Sequence, residues 1–244
     1  MTRLCSQVIG ETRRTIEHEL RAIRQGERGT LSLCDVGCWD GEPAAAYGRI
    51  LGGAVAGVEV FAPQAALAKQ RGIDVAQIDL ERQAFPWPDE SFDVVIANQV
   101  FEHLKNVWLP MSEVARVLRR GGYLVFSVPN LASLHNRVML AFGFQPSSIR
   151  TFGPHVRSFT YRQVRQFLEF GDVFTVLRAR GVGFYPLPIR LASPLASVWV
   201  GASHTPVFVA RRLTGDAGAW RNWTDDSVGE VQTHYAGAAR QPGS

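Results

Sequence analysis

Cysteine, lysine and long apolar runs are all scarce in this chain, and each scarcity narrows what the protein can be. The three cysteines among 244 residues are Cys5, Cys34 and Cys38, too few to frame a disulfide-stapled fold. Cys34 falls in an apolar stretch that reads as a strand and Cys38 in the turn after it, so a reducing, cytoplasmic setting is expected. With no histidine cluster near these thiols in sequence, no metal site is expected. Lysine occurs only at Lys69 and Lys105; the predominance of arginine, alanine and glycine reads as compositional bias rather than chemistry. No uninterrupted apolar run is long enough to span a bilayer, so no membrane partner is expected. The most apolar late stretch, 181–210, is broken by Pro186, Pro188, Arg190, Pro194 and Pro206 and reads as loop and partly buried strand. The N-terminus carries Arg3, Glu11, Arg13 and Arg14 and lacks the apolar core of a signal peptide. There is no internal repeat.

What is present is an ordinary globular composition, 46% hydrophobic and 20% charged, enough for one large core. The net charge is +4, but the basic residues are scattered in short pairs such as Arg13-Arg14, Arg119-Arg120 and Arg211-Arg212. Without an aromatic-interleaved basic run, this reads as a solvated surface, and nucleic acid is not an expected partner.

Apolar periodicity places a helix over 6–25, then alternates strand and helix. Strands are predicted at 31–36, 54–60, 73–78, 92–97 and 123–128, with helices at 42–51, 63–71 and 109–120. The last of these helices is expected to stop at Gly121-Gly122. Such alternation predicts parallel strands with helices on both faces, an α/β Rossmann-like sheet whose ligands sit beyond the carboxyl ends of the strands. The stretch 129–158 reads as an inserted lid of short helices, and 160–170 as a helix capped by Thr160. The last two strands are expected at 172–180 and 205–212. The division expected is one domain over 1–213, opening with a helical segment at 1–28, and a polar tail or surface-docked arm over 214–244.

The most informative run is 31–47, LSLCDVGCWDGEPAAAY. A buried strand ends at Asp35, turns through Gly37, Cys38, Trp39, Asp40 and Gly41, and opens into an alanine-rich helix. Glycine permits close approach of backbone to a ligand, and the first helical turn offers free N–H groups. Glu59 ends the second strand, where a carboxylate can accept from both hydroxyls of a ribose; a surface or capping acid is the plainer alternative. Asp79 follows the third strand, where a carboxylate can accept from an exocyclic amine; a turn-forming acid is the alternative.

Three acids at the ends of three successive strands, after a glycine turn, make a family recognisable. Residues 31–128 resemble the class I S-adenosylmethionine-dependent methyltransferases, in particular the small-molecule group called type 11. The resemblance is carried by DVGCWDG (35–41), GVEV (57–60), IDLE (78–81), FPWPDESFDVVIANQVFEHL (85–104) and EVARVLRRGGYLVFSVPN (113–130). It implies a seven-stranded sheet, mostly parallel, with the last strand antiparallel, and S-adenosylmethionine as cofactor with S-adenosylhomocysteine as product. Position by position, it implies that Asp35 and Gly37 border the methionine moiety, with Cys38, Trp39 and Gly41 completing the turn. Glu59, followed by Val60, would bind the ribose, Asp79 and Leu80 the adenine, and Asn98 the methionine end. Trp39 departs from the family, which usually has glycine there; its ring is expected to cover the cofactor.

NAD(P) is the rival cofactor, but the turn lacks G-x-G-x-x-G. The acceptor is expected to be a small molecule methylated on oxygen, then nitrogen. No [DN]-P-P-[YF] follows the fourth strand, which disfavours nucleic-acid bases, and no cysteine is placed as a C5 nucleophile. The absence of an acid cluster near strand five disfavours a magnesium site. His103 and His155 are the candidate general bases, each with a structural alternative: a loop-fixing hydrogen bond for His103, and lid packing or a cap for His155. Glu102 is a weaker base, because an ordinary carboxylate is poorly matched to neutral pH. Residues 181–203, with Phe184 and Tyr185, are expected to shape the acceptor pocket. A homodimer is compatible with this reading. So is a cofactor-binding accessory protein that serves a partner enzyme.

Overall fold

The structure is a computed structural model and describes residues 2–185, 187 and 189–220. Seven strands form one sheet: β1 (Leu31–Val36), β2 (Gly52–Val58), β3 (Asp74–Ala76), β4 (Phe92–Asn98), β5 (Leu118–Ser127), β6 (Phe174–Val182) and β7 (Thr205–Arg212). Their order is β3-β2-β1-β4-β5-β7-β6. β1 to β5 run parallel, and β7 pairs antiparallel with both β5 and β6. The expected mostly parallel sheet with its last strand antiparallel is therefore present.

Among the described residues, seven α-helices accompany the sheet: α1 (Thr2–Gly26), α2 (Glu42–Leu51), α3 (Ala62–Gln70), α4 (Trp108–Val117), α5 (Leu134–Ala141), α6 (Tyr161–Leu168) and α7 (Ile189–Val198). The two-residue alternation of the central strands sorts their side chains onto two faces. Leu31, Leu33, Val94, Ile96 and Val125 meet Ile16, Leu20 and Ile23 of α1 and Tyr47 and Leu51 of α2. Cys34, Val36, Val95, Ala97, Leu124 and Phe126 face the other way, against Met111, Val114 and Val117 of α4 and Val164 and Leu168 of α6. Helices on both faces leave the strand ends as the exposed edges where ligands can bind.

Two elements differ from the sequence expectation. The helix expected to run to Arg120 ends at Val117, and β5 begins at once. Leu118 is already extended (φ −81°, ψ 125°) and pairs with Phe92. The register then jumps, with Val94 opposite Tyr123, and Gly121 turns at φ 77° inside this bulge. The glycine pair thus kinks a strand instead of stopping a helix. Second, within 181–210, read as loop and partly buried strand, the strand is present as β7 but part of the loop is the helix α7. Ala192 and Ala196, one helical turn apart, pack against Phe184 and Ala202, a periodicity that Pro194 obscures in the sequence.

The chain after β7 docks. The buried indole of Trp220 donates from Nε1 to the Phe167 carbonyl at 2.9 Å and lies among Phe167, Phe170 and Phe174. The rest of the expected tail, with Trp223, lies outside the described residues. Among the described residues, no helix is long and apolar enough to cross a membrane.

Candidate active site

The β1–α2 turn is built on two glycines in left-handed backbone. Gly37 sits at φ 75° and Gly41 at φ 79°. A Cβ on Gly37 would stand 2.5 Å from Val100, and one on Gly41 would stand 2.9 Å from the Ala68 backbone. Neither position tolerates a side chain, so the turn lies flat across the ends of β1 and β2. The N–H groups of Gly37 and Cys38 both donate to the Val58 carbonyl, at 2.8 and 3.0 Å, which locks the turn to β2. Trp39 also has positive φ, 51°, which for an aromatic residue costs about 1–3 kcal/mol. The backbone has kept the conformation glycine would favour, and the side chain stands out into solvent, edge-on to Phe61 with centroids 6.0 Å apart.

Two buried carboxyls face this turn from neighbouring strands. Asp35 ends β1 opposite Gly57 of β2. Burial, reinforced by the charge of Glu59, pushes its carboxyl up to about 7. Glu59 follows β2 and is also buried. One of its oxygens accepts from the Trp39 N–H at 3.0 Å and the other from the Phe61 N–H at 2.9 Å. These bonds orient the carboxylate, and each oxygen keeps a lone pair for a further donor. Val60, Phe61 and Trp39 are all exposed around it and give an apolar flank.

Asp79 lies after β3, partly exposed. Its Oδ1 accepts from the Glu81 N–H at 2.9 Å, and its own N–H donates to Gln83 at 2.8 Å, so it also serves the turn, as the plainer alternative held. Leu80 is buried beside it. At the end of β4, Asn98 accepts from Ser127 Oγ at 2.6 Å. Gln99 follows at φ 58°, and its buried side-chain amide nitrogen has no partner among the described residues. Tyr47, buried under the turn, likewise has an unpartnered hydroxyl. Neither Gln99 nor Tyr47 stood out in the sequence, although Gln99 directly follows Asn98.

The two candidate bases, 52 positions apart in sequence, come together. Their ring centroids are 4.9 Å apart. His103 closes the single 3₁₀ turn Phe101–His103 after β4. His155 is carried by the segment that returns from α5. The N–H groups of Val156 and Arg157 both donate to the Glu102 carbonyl, at 2.9 and 3.1 Å, and pin that segment to the β4 turn. Each imidazole uses Nδ1 on a backbone carbonyl, His103 on Pro154 at 3.2 Å and His155 on Ser148 at 2.7 Å. The structural roles foreseen as alternatives are thus present, but they occupy one ring nitrogen each and leave both Nε2 atoms. Burial lowers the His103 pKa, opposed by the Pro154 carbonyl and reinforced by the neighbouring His155. Glu102 is 2% exposed, and among the described residues no other residue hydrogen-bonds either carboxylate oxygen. Burial pushes its carboxyl up to about 8, away from the ordinary range assumed in the sequence reading.

Asn130 anchors the base of the lid. Its side-chain amide donates to the carbonyls of Gly201 and Ser203, at 3.0 and 2.9 Å, tying the end of β5 to the β6–β7 connection. Inside the lid, buried Asn136 bonds the Asn130 carbonyl, Ser147 and Ser148. Outward, the lid exposes Leu140, Phe142, Phe144 and Phe152. Tyr185 stands edge-on to His135 at 4.2 Å, beside the lid. Phe184 is buried against Ala192 and Ala196 of α7, with Leu134 of α5 packed against the same cluster.

A doubly wound sheet closed by an antiparallel hairpin, with three acids and a glycine turn along its carboxyl edge, defines the class I methyltransferase architecture. A profile described as "Methyltransferase domain" matches residues 34–126. The chain is 33% identical over 123 residues to a 27-O-demethylrifamycin SV methyltransferase of Amycolatopsis mediterranei, covering 46% of this chain and 43% of that one. The chain therefore spans less than half the length of that relative. Among solved structures, the magnesium protoporphyrin IX methyltransferase of Synechocystis, with S-adenosylhomocysteine bound, superposes with TM-score 0.59, 16% identity, and 84% of each chain covered. The [4+2]-cyclase SpnF superposes with TM-score 0.57 at 23% identity, covering 81% of this chain and 80% of its own. Residues 34–126 thus match a methyltransferase domain, and the fold around them is that of S-adenosylmethionine-dependent methyltransferases.

Proposed function

We propose that the protein transfers a methyl group from S-adenosylmethionine to a hydroxyl of a bulky, largely apolar small molecule. The observation that carries this reading is one sheet edge with a glycine turn and buried acids at one end and a paired-histidine cluster at the other. The donor set fits the cofactor. Glu59 is buried, pre-oriented and has free lone pairs for two ribose hydroxyls. Asp79 and Leu80 take the adenine, and Asp35, Gly37 and Asn98 the amino-acid end. Val60 and Trp39 flank the nucleoside, and Cys38 and Gly41 shape the turn beneath.

The cofactor, when bound, supplies an electrophilic methyl on a sulfonium. The chain supplies position and a place for the acceptor proton. Holding two reactants in line can account for about 7–11 kcal/mol of a barrier. A general base adds typically 10²–10⁴-fold. His103 and His155 are the catalytic residues of this proposal: His103, with Nδ1–H held by the Pro154 carbonyl, presents Nε2 to accept the hydroxyl proton. The exposed apolar lid surface of Phe142, Phe144 and Phe152 supports a large apolar acceptor, as does the name of the rifamycin relative.

A second reading is an accessory protein that binds the cofactor and transfers nothing. It is favoured by Trp39, whose strained backbone and large ring stand where a glycine would leave the mouth open. Calorimetry with S-adenosylhomocysteine tests the cofactor half of both readings. Methyl release in the presence of hydroxylated macrocycles or quinols separates them: cofactor binding without turnover supports the accessory reading and counts against the transferase.

A further inference from the structure

Glu102 poses a problem that the proposed chemistry leaves unsolved. Its carboxyl group is buried to 2% exposure, and among the described residues no other residue hydrogen-bonds either oxygen, an arrangement that normally destabilises a protein. His103 does not relieve it, because Nε2 stands 3.9 Å from Glu102 Oε1, beyond hydrogen-bond reach. What the three side chains share is one small space. One ligand atom from each of Glu102, His103 and His155 lies within 4.8 Å of the others.

We infer that Glu102, His103 and His155 form a binding site for a divalent transition-metal ion of the zinc type at the acceptor end of the sheet edge. The hydrogen bonds around the cluster support this assignment. A carbonyl oxygen can only accept, so Nδ1 of His103 and Nδ1 of His155 each carry their ring proton toward Pro154 and Ser148. That tautomer leaves a lone pair on each Nε2. An imidazole whose far N–H is held by a carbonyl is the arrangement that orients metal-binding histidines and raises their basicity. The carboxylate supplies the negative charge, and an ion between the three groups would partner its orphaned oxygens. Bonds to zinc of roughly 2.0–2.2 Å require the ligand atoms to move inward by about 1 Å, within side-chain adjustment.

The ligand set selects the ion. Two imidazoles and one carboxylate suit zinc and its late first-row neighbours, whereas magnesium and calcium prefer all-oxygen cages. Three protein ligands leave a coordination position open, as in catalytic rather than structural zinc sites. A hydroxyl at that position would ionise more readily. Its proton would pass to solvent, its oxygen lone pair would form the new C–O bond, and the C–S electrons would return to sulfur as the thioether leaves. This role rests on the transferase reading and, in the ion-loaded protein, replaces His103 as proton acceptor, because a ligated Nε2 has no lone pair to spare; ion binding itself does not depend on that reading. The site also accounts for why two histidines so far apart in sequence share one small space with a buried acid.

The test uses tag-free full-length protein stripped with a chelator. Cobalt(II) is titrated in and followed by its visible absorption, and zinc is then used as competitor. The expected result is one ion per chain, micromolar or tighter, with a four- or five-coordinate cobalt spectrum that zinc abolishes. Glu102→Gln, His103→Ala and His155→Ala should each weaken binding at least tenfold. S-adenosylhomocysteine affinity, measured on the same variants, should stay within about twofold and shows that they fold. Binding that is absent in the wild type, or unchanged in all three variants, overturns the site. Intact ion binding in a protein that ignores S-adenosylhomocysteine overturns the cofactor reading and leaves the site standing.

Discussion

The two ends of one sheet edge are built by opposite strategies. At the proposed cofactor end, each candidate group sits within a few residues of the strand that positions it: Asp35 next to last in β1, Glu59 just after β2, Asp79 after β3. At the proposed acceptor end, the candidate group is assembled across distance. Glu102 and His103 come from the turn after β4, while His155 arrives on a segment that has passed through the whole lid. The difference matters for robustness. The first end is held by backbone geometry, such as Gly37 and Gly41, and by strand register. The second depends on side-chain anchors, Asn130 and Asn136, whose loss would move His155 without touching the sheet.

The sharpest way to break the comparison is to remove the chemistry at one end and look for damage at the other. His103→Ala or His155→Ala should lower kcat by about 10²–10⁴-fold with any acceptor found, while S-adenosylhomocysteine affinity holds. Steady-state kinetics beside calorimetry would show it, and a loss of cofactor binding would mean that the two ends are not separate. Glu59→Ala should do the converse, weakening S-adenosylhomocysteine by about 1–3 kcal/mol, since charged hydrogen bonds to the ribose disappear. The Trp39 and Phe61 N–H groups would lose their acceptor as well, so Glu59→Gln is the milder control.

Proton linkage offers a subtler probe of the cofactor end. Asp35 holds its proton up to about pH 7, whereas the unfolded chain releases it near 3.9. A carboxyl raised in this way contributes stability that is full below the unfolded value and is lost as pH rises through about 7. The ammonium of the cofactor favours the ionised form, so binding must strip the proton at low pH. S-adenosylhomocysteine affinity should therefore fall below pH 7, by at most tenfold per unit, and Asp35→Asn should flatten that dependence. Isothermal titration between pH 6 and 8 checks it. A smaller effect is expected at Trp39. Trp39→Gly should relieve backbone strain of about 1–3 kcal/mol, offset in part by the greater freedom glycine has in the unfolded chain. Trp39→Phe should remove most of any cofactor-induced change in tryptophan fluorescence; an unchanged signal would place the reporter at another indole.

The same contrast explains what could be read from the residues alone. Strand alternation and the DVGCWDG turn are local patterns, so the sheet was legible, with the positions of Glu59 and Asp79 beyond its strands, down to the antiparallel last strand that the family resemblance implied. Patterns fail where tertiary context overrides them. Gly121-Gly122 reads as a helix stop until β4 pairing draws Leu118 into a strand. Pro194 hides the Ala192–Ala196 turn of α7. His103 and His155 were each visible as candidates, but nothing in a linear sequence states that they meet. Glu102 was undervalued because its chemistry comes from burial, which the run FEHL does not encode.

The account turns on a nucleotide-bearing sulfur cofactor at the Asp35–Glu59–Asp79 end of this edge. Calorimetric titration with S-adenosylhomocysteine and with NADH tests that claim most directly. One site for S-adenosylhomocysteine per chain, weakened by Glu59→Ala and indifferent to His103→Ala, is the predicted result. Tight NADH binding with no response to S-adenosylhomocysteine would contradict it.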